Sequence, residues 1–184
     1  MSAELLARQT IYKGRIFHFD VDVVRLPTGH MVDMEVVRHP GSVVLLPIPE
    51  PGKIILIKQY RYTIDRWIWE LPAGTLKPNE NADAAAAREC EEEVGLTPHK
   101  VTRVGSYYPT PGFCDELMNY YRCEDLRAPA ADSTVKKDDD EDIEPRVFTL
   151  DEARALVASG EVIDLKTLAR KCQSVPTWPP RGAR

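Results

Sequence analysis

One segment constrains the fold of this chain more than any other, the run GTLKPNENADAAAARECEEEVGL from Gly74 to Leu96. Its small and apolar residues recur every four positions, as on a helix that packs one face on a sheet: Ala86, Cys90 and Val94. Asn81 is predicted to cap this helix, and Gly95 is predicted to end it in a left-handed conformation. The segment therefore predicts a helix of roughly three to four turns packed against a sheet.

The other face of this helix concentrates negative charge. Glu89, Glu92 and Glu93 are spaced so that a helix brings their side chains together, and like charges at that spacing repel. Most glutamate-rich helices are simply solvated; the alternative is a hard divalent cation such as Mg²⁺, which often accompanies phosphate substrates. The preceding segment, Leu71 to Gly74, is predicted to be a loop whose glycine lets the backbone approach a ligand or metal.

The order of the fixed residues resembles the Nudix box of the Nudix hydrolases. Gly74 is followed by Glu80, then by Arg88 with the three glutamates, and the run closes at Gly95. Every fixed position is filled, and Cys90 stands in a position that is usually aliphatic, where a buried thiol behaves as a small hydrophobe. By this resemblance, Glu80 braces the loop ahead of the helix.

The resemblance also implies a metal site. Glu89 and Glu93 would be the main ligands, together with the carbonyl oxygen of Ala73, and Glu92 would be an additional ligand or lie just behind them. Arg88 would orient the glutamates. The cofactor implied is Mg²⁺, with Mn²⁺ as the alternative.

Outside the box, the chain resembles the ADP-ribose pyrophosphatase branch of the same family. The resembling stretches, in chain order, are 12–15, 36–41, 58–61, 69–74, 108–113 and 164–168. Pro111 stands where that branch carries a marker proline, and it is counted with Ala73 among the substrate-binding candidates. Arg61 ends a strand, and its planar fork suits a phosphate or a ribose hydroxyl pair, the alternative being a surface arginine. The resemblance implies that Phe17 and Glu35 help to bind the base, although Phe17 would equally suit a core.

The residue that activates water is left open by the sequence. The acidic run 136–144 is in most proteins a solvated loop. In the resembling branch, a glutamate on a mobile loop before the last strand has this role, and Glu141, with Glu144 behind it, matches that place. Glu116 is the rival candidate. A general base contributes roughly 10²–10⁴ in rate.

Composition narrows the class of protein. The chain has 184 residues, 43% of them hydrophobic, which is enough for one sizeable core. The formal net charge of −5 argues against a nucleic-acid surface, and the longest apolar run, 42–48, is too short to cross a membrane. With no export signal at the start and no disulfide or zinc spacing, the cysteines favour reduced thiols and a cytoplasmic protein: Cys90, Cys114, Cys123 and Cys172.

The remaining patterns predict an α/β fold. Strands are expected at 41–47, 53–62, 101–107, 117–123 and 146–149, and helices at 151–159 and 164–172. The resemblance implies the same architecture, an α/β/α sandwich with a mixed sheet. Residues 10–37 read as a long N-terminal β-hairpin, so the division expected is 1–40 as strands, 41–173 as the hydrolase domain and 174–184 as a loose tail. An exposed hairpin favours a homodimer, and the alternative is that it folds back on its own domain.

The function expected from the resemblance is Mg²⁺-dependent hydrolysis of the diphosphate bond in a nucleoside diphosphate sugar. The first substrate candidate is ADP-ribose, cleaved to AMP and ribose 5-phosphate. A GDP- or UDP-sugar would need the same chemistry and a different base pocket. A binding module that holds ADP-ribose without cleaving it is the alternative from another class, and the complete set of glutamates argues against it.

Overall fold

A computed structural model describes residues 2–135 and 142–171 of the chain. Its strands, in order, are β1 (Glu4–Lys13), β2 (His18–Arg25), β3 (Met31–Arg38), β4 (Ser42–Pro47), β5 (Lys53–Arg61), β6 (Arg66–Glu70), β7 (Ala73–Thr75), β8 (Thr97–Tyr107), β9 (Met118–Arg127) and β10 (Ile143–Thr149). Its α-helices are α1 (Ala82–Glu89), α2 (Leu150–Ala158) and α3 (Leu165–Lys171). A 3₁₀ turn, Tyr62–Ile64, follows β5, and a π-helical turn, Cys90–Val94, continues α1.

The N-terminal strands form an antiparallel sheet in the order β1-β2-β3. The predicted hairpin is present as β2 and β3, and Gly29, with φ at 88°, lies in the turn between them. The prediction was incomplete, because β1 pairs with β2 from Glu4 onward and adds a third strand. Every residue of β1 is exposed, so its sequence lacks the alternation that identifies a half-buried strand.

Buried charges hold this small sheet together. Asp20 and Asp22 on β2 are 3% and 4% exposed. Arg8 donates two hydrogen bonds to Asp22, of 2.7 and 2.9 Å, and Arg38 pairs with the same carboxylate. The hydrogen bond from Arg8 holds the pKa of Asp22 below its ordinary value. The sheet is therefore fixed by ion pairs as well as by its ladder.

Two further sheets form the main domain. One is antiparallel, in the order β10-β5-β6, and the other has the order β7-β4-β9-β8. The second sheet is mixed, because β4 runs parallel to β9 and antiparallel to β7. The predicted α/β fold, with mixed sheet and N-terminal antiparallel strands, is confirmed. Strand β6 was not predicted.

The core lies on both faces of β4, which is buried along its whole length, as expected of a strand covered on both sides. Val43 and Leu45 pack in one apolar cluster with Ala86 and Cys90 of the box helix. Val44 and Leu46 pack on the opposite face, in a second cluster whose other members include Leu71, Phe148, Ala153 and Val162. Alternate residues of β4 thus pack against the box helix on one face and against the cluster that contains Ala153 of α2 on the other.

The caps of the box helix are those that the sequence predicts. The Asn81 side chain accepts hydrogen bonds from the backbone N–H groups of Asp83 and Ala84. Gly95 ends the π-helical turn with φ at 73°. Cys90 is fully buried beside Cys123, and this contact together with burial raises the pKa of its thiol, so that it remains a neutral, apolar group.

Within the described ranges, no helix has both the length and the apolar content that a membrane crossing requires. Cys90, Cys114 and Cys123 are not in disulfides, and Cys172 lies outside the described residues.

Candidate active site

The segment Leu71 to Gly74, expected to be a loop, is only partly one: Leu71 and Pro72 belong to no strand, whereas Ala73 and Gly74 belong to the short strand β7. Ala73 pairs with Val44, Gly74 with Val43 and Thr75 with Ser42 at the end of the mixed sheet. For Ala73 and Gly74 the prediction was wrong, because three residues between a proline and a turn carry too little pattern to identify a strand. The pairing matters for the site, since it fixes the Ala73–Gly74 backbone against the box helix.

Two glutamates of the box helix meet this backbone. The N–H of Ala73 donates a 2.9 Å hydrogen bond to Oε2 of Glu93. At Gly74, a side-chain Cβ would lie 1.9 Å from Cδ of Glu89, so this carboxyl group occupies the space that glycine leaves. Glu89 and Glu93 are 7% and 4% exposed. Ala73, Glu89 and Glu93 are thus brought together, as the sequence predicted.

Arg88 ties the glutamates to one another. Its Nε and Nη2 donate hydrogen bonds of 2.8 and 2.9 Å to the two oxygens of Glu80. Its Nη1 contacts Glu89 at 2.6 Å and Glu92 at 2.5 Å. Such a bidentate guanidinium–carboxylate pair fixes orientation as well as charge. The predicted orienting arginine therefore has the geometry to set the side chains of three glutamates.

Glu80 links the helix to the residues that follow β7. Its Oε2 accepts a 2.9 Å hydrogen bond from the backbone N–H of Lys77, which is the bracing contact expected from the sequence. The hydrogen bond from Arg88 lowers the pKa of Glu80, and the reciprocal contact raises the pKa of Arg88. Both groups are thus held in their charged forms.

The donor set suits a small divalent cation that retains other ligands. Within the described residues, no group of three or more histidine, cysteine or carboxylate side chains is arranged to hold a metal ion. Mg²⁺, however, is usually bound through one or two carboxylates and completes its shell with waters and substrate phosphates. Two buried carboxylates against a close backbone approach, Glu89 and Glu93 beside Ala73–Gly74, fit that requirement.

A cleft of about 390 Å³ opens beside the Ala73–Gly74 backbone. Arg61 lines it, at the end of β5, as does Glu116 from the segment ahead of β9. Glu116 accepts a 2.8 Å hydrogen bond from the hydroxyl of Ser42, and Nδ1 of His39 lies 3.9 Å from it. Two residues predicted for substrate binding or water activation therefore line the cleft together with the Ala73–Gly74 backbone, which Glu89 and Glu93 of the box helix contact.

The cleft also contains a group of charges that the sequence analysis missed. Glu70, 1% exposed, lies between Arg61 and Lys166. Lys166 is 96 positions away along the chain, so no local spacing indicated the contact. The available signal was a charged residue in an otherwise apolar run, Ile68-Trp69-Glu70-Leu71, because a charge is rarely fully buried unless it is paired.

Other predicted site residues lie elsewhere. Glu35 is on β3 and Phe17 is in the connection between β1 and β2, and neither lines the cleft. Ile16 and His18, beside Phe17, line a second pocket of about 510 Å³ between the N-terminal segment and residues 75–78. Phe17 is 40% exposed, so it is not a core residue. Pro111 is exposed and also outside the cleft lining, whereas Pro109 is part of it.

The three candidates for activating water are Glu116, Glu141 and Glu144, and the structure describes two of them. Glu144 is an exposed residue of β10, paired in register with Lys58. Glu141 lies outside the described residues. Of the two candidates that the structure describes, Glu116 lines the cleft and Glu144 does not.

Comparison with known proteins gives a consistent family. The NUDIX domain model matches residues 37–170. An ADP-ribose pyrophosphatase of Bacillus subtilis (strain 168) is 38% identical over 91% of this chain and 89% of its own length. A methanol dehydrogenase activator of Bacillus methanolicus is 34% identical, with 87% and 85% covered.

A solved structure agrees in fold. The structure described as an ADP compounds hydrolase superposes with a TM-score of 0.76, covering 92% of this chain and 90% of that one at 20% identity. The domain match spans well over half of the chain and includes the carboxylates, the arginine and the β7 backbone described above. The chain therefore belongs to the NUDIX family and is a Nudix hydrolase.

Proposed function

We propose that the protein hydrolyses the diphosphate bond of nucleoside diphosphate sugars in a Mg²⁺-dependent reaction, with ADP-ribose cleaved to AMP and ribose 5-phosphate. The observation that carries the proposal is the meeting of Glu89 and Glu93 with the Ala73–Gly74 backbone beside a cleft. The charged residues that line this cleft are Arg61, Glu70, Glu116, Asp164 and Lys166. The relative from Bacillus subtilis, named an ADP-ribose pyrophosphatase, supports this substrate.

Glu89, Glu93 and the carbonyl of Ala73 would hold the metal, with Glu92 as a further ligand or supporting group. When bound, Mg²⁺ supplies charge neutralisation for the diphosphate and lowers the pKa of coordinated water. Mn²⁺ would suit the same oxygen ligands. Arg88 keeps the carboxylates in place, because it contacts Glu89 and Glu92 while its other nitrogens bind Glu80.

The other residues of the cleft would bind substrate and move protons. Arg61 offers a planar fork to a phosphate or to ribose hydroxyls. Glu116, half-buried beside Ser42 and His39, is a candidate to accept a proton from the attacking water, and Glu141 remains the second candidate. Phe17, Glu35 and Pro111 remain proposals for the base side of the substrate.

The names of other relatives leave a second class of nucleotide substrate as an alternative. One relative at 32% identity is a CMP-5'-(N-acetyl-N-hydroxy-3-aminopropyl)phosphonate hydrolase of Streptomyces rubellomurinus, so similar chains carry names with different nucleotides. A GDP- or UDP-sugar is the alternative substrate class. A panel of ADP-ribose, GDP-mannose and UDP-glucose, with release of the nucleoside monophosphate as the signal and EDTA as the control, separates the candidates. Slow turnover of all three, with measurable ADP-ribose binding, would favour a binding module.

The main test of the reaction is Glu93→Gln. The amide keeps the size of the side chain and can still accept the hydrogen bond from Ala73, but it removes the negative charge from the candidate metal ligand. We expect turnover to fall by at least about 10³-fold, since charge stabilisation of this kind contributes several kcal/mol, while the melting temperature changes little. Near-normal activity would contradict the assignment.

Glu91→Gln is the matched control, because Glu91 belongs to the same run of glutamates but binds elsewhere. Its carboxylate accepts a 2.6 Å hydrogen bond from the hydroxyl of Thr97 and also contacts Ser133. We expect this variant to keep its turnover. Loss of activity in both variants would point to a general requirement for charge on the helix rather than to a metal ligand.

The domain division into 1–40, 41–173 and 174–184 is part of the same proposal, as is a cytoplasmic homodimer formed through the N-terminal strands. The N-terminal strands and the connection between β1 and β2 expose a group of large apolar side chains that a partner chain would cover: Leu5, Leu6, Ile11, Tyr12, Ile16, Phe17, Met31 and Met34. Light scattering after gel filtration tests the dimer, since one chain has a mass of 20.8 kDa. A monomer at micromolar concentration would refute it.

A further inference from the structure

A buried carboxylate in the cleft lies between two cations. Oε1 of Glu70 is 2.5 Å from Nη2 of Arg61, and its Oε2 accepts a 2.5 Å hydrogen bond from Nζ of Lys166. All three residues line the cleft beside Ala73. The carboxylate is therefore shared by a residue of β5 and a residue of α3.

The two contacts of Glu70 differ in kind. Oε1 is buried and, within the part of the chain that the structure describes, accepts no hydrogen bond of normal geometry. Its pairing with Arg61 is therefore a single ionic contact. Arginine pairs most strongly with a carboxylate when two N–H groups meet both oxygens. In the structure, Oε2 of Glu70 accepts its hydrogen bond from Lys166 and not from Arg61. The side chain of Arg61 is 39% exposed and borders the cleft.

Lys166 itself is held in place from several sides. Its side chain is 10% exposed, and its Nζ also contacts Oδ2 of Asp164 at 3.0 Å. The hydroxyl of Tyr120 donates a 3.1 Å hydrogen bond to the carbonyl of Lys166. The next residue, Thr167, accepts a 2.8 Å hydrogen bond from the backbone N–H of Leu71. Lys166 is thus a fixed charge directed at Glu70, with little of its side chain open to a substrate.

We propose that Lys166 is a positioning residue that acts through Glu70 to keep the guanidinium of Arg61 available to the substrate diphosphate. Without Lys166, both oxygens of Glu70 would be open to Arg61, and a bidentate pair would draw the guanidinium away from the cleft. The inference rests on the proposed function for the identity of the substrate. It assigns to α3 a role in substrate binding that the sequence analysis did not give it.

Lys166→Met tests this role. We expect KM for ADP-ribose to rise by about tenfold, the loss of part of one charged hydrogen bond. We expect kcat to change little, because Arg61 would bind the substrate and the transition state alike. Lys166→Arg keeps the charge and should restore most of the wild-type KM. Equal losses in kcat and in thermal stability, with KM unchanged, would indicate a structural role and overturn the proposal.

The mechanism through Glu70 is tested in a Glu70→Gln background. With a neutral amide at position 70, nothing draws Arg61 inward, so adding Lys166→Met should leave KM nearly unchanged. The same tenfold rise in both backgrounds would mean that Lys166 acts on the substrate directly and would overturn the proposal. This comparison remains usable if the single Lys166→Met variant does not fold, because the double variant leaves no buried charge at position 70.

A matched control is available on β8 and β9. Lys100 and Arg122 share the carboxylate of Glu124 at 2.9 and 3.1 Å, the same combination of charges, and none of the three lines the cleft. Lys100→Met should leave KM unchanged, and a rise would refute a specific effect at Lys166.

If the wild-type protein cleaves none of the sugar nucleotides, the proposed function fails separately. In that case, the same Lys166 and Glu70 variants are compared by calorimetry, which measures the Kd of ADP-ribose in the presence of EDTA. An unchanged Kd in Lys166→Met overturns the inference.

Discussion

Replacement of Gly74 by alanine separates the chemistry of the site from the stability of the fold. The added Cβ would lie 1.9 Å from Cδ of Glu89 and 2.0 and 2.2 Å from its two oxygens. A return to ordinary contact, 3.4 Å or more, requires this carboxyl group to retreat by roughly 1.5 Å. The group that must move is the end of a flexible side chain, so the backbone of β7 can remain in place.

The expected cost to stability is small. Displacement of Glu89 breaks its 2.6 Å hydrogen bond with Arg88, a charged contact worth about 1.5–3 kcal/mol when buried. Arg88 keeps Glu80 and Glu92, and alanine in place of glycine restricts the unfolded chain, which returns about 0.4–1 kcal/mol. A net loss of about 1–2 kcal/mol follows. For a chain of this length, that corresponds to a fall in Tm of roughly 2–8 °C.

The expected cost to activity is much larger. A shift of about 1 Å in a positioned group can cost about 10²-fold in rate. We therefore expect kcat/KM for ADP-ribose to fall by about 10²-fold or more, and the Mg²⁺ concentration for half-maximal rate to rise. Steady-state assays over a Mg²⁺ titration, with thermal melts of the same samples, measure both effects.

The control is Gly112→Ala, since a Cβ at Gly112 meets no atom within 4 Å. This variant should keep the wild-type Tm and Mg²⁺ dependence. A Gly74→Ala protein with normal kcat/KM and normal Mg²⁺ dependence would refute the location of the metal beside Glu89. A variant that fails to fold would refute the argument that the side chain, rather than the backbone, gives way.

Two further predictions concern stability. Because Arg88 lowers the pKa of Glu80, the stabilisation from this carboxylate is present above the ordinary glutamate value of about 4.3 and is lost as the pH falls through the lower folded-state value. Urea unfolding of Glu80→Gln at several acidic pH values should therefore show a shallower acid loss than wild type, and an unchanged slope would contradict the linkage. Leu45→Ala, at a fully buried position, should lose about 2–5 kcal/mol in the free energy of unfolding. Val147→Ala, at a half-exposed position, should lose far less, and similar losses in both would contradict the assignment of the core.

The box helix could be predicted because its signals are local. Asn81, Gly95 and the apolar stripe each act within a few residues, and the structure has all three as expected. The continuation of α1 as a π-helical turn could not be predicted, because a change of hydrogen-bond partner by one residue leaves the pattern of apolar positions nearly intact.

There are also physical reasons why β6 and the full length of β1 were not predicted. In β6, Trp67 is about half exposed, whereas Trp69 and the charged Glu70 are buried, so hydrophobicity does not follow the burial. In β1, the whole strand is exposed, so apolar and polar positions carry no contrast. The pairing of Glu70 with Lys166 depends on tertiary structure alone. Sequence therefore identified the residues that a motif names, and it missed those whose role depends on a distant partner.

The end of β3 has a consequence for how the protein can be divided. The N–H of Val37 donates to the carbonyl of Phe113, and the N–H of Asp115 donates to the carbonyl of Val37. Arg38 and the backbone of His39 add contacts with the carboxylate of Asp115. The family match begins at residue 37, yet a truncation there would leave these bonds on a frayed chain end, next to Glu116 in the cleft. The end of β3 thus helps to hold the segment that brings Glu116 to the cleft, so the hydrolase domain depends on the residues that precede it.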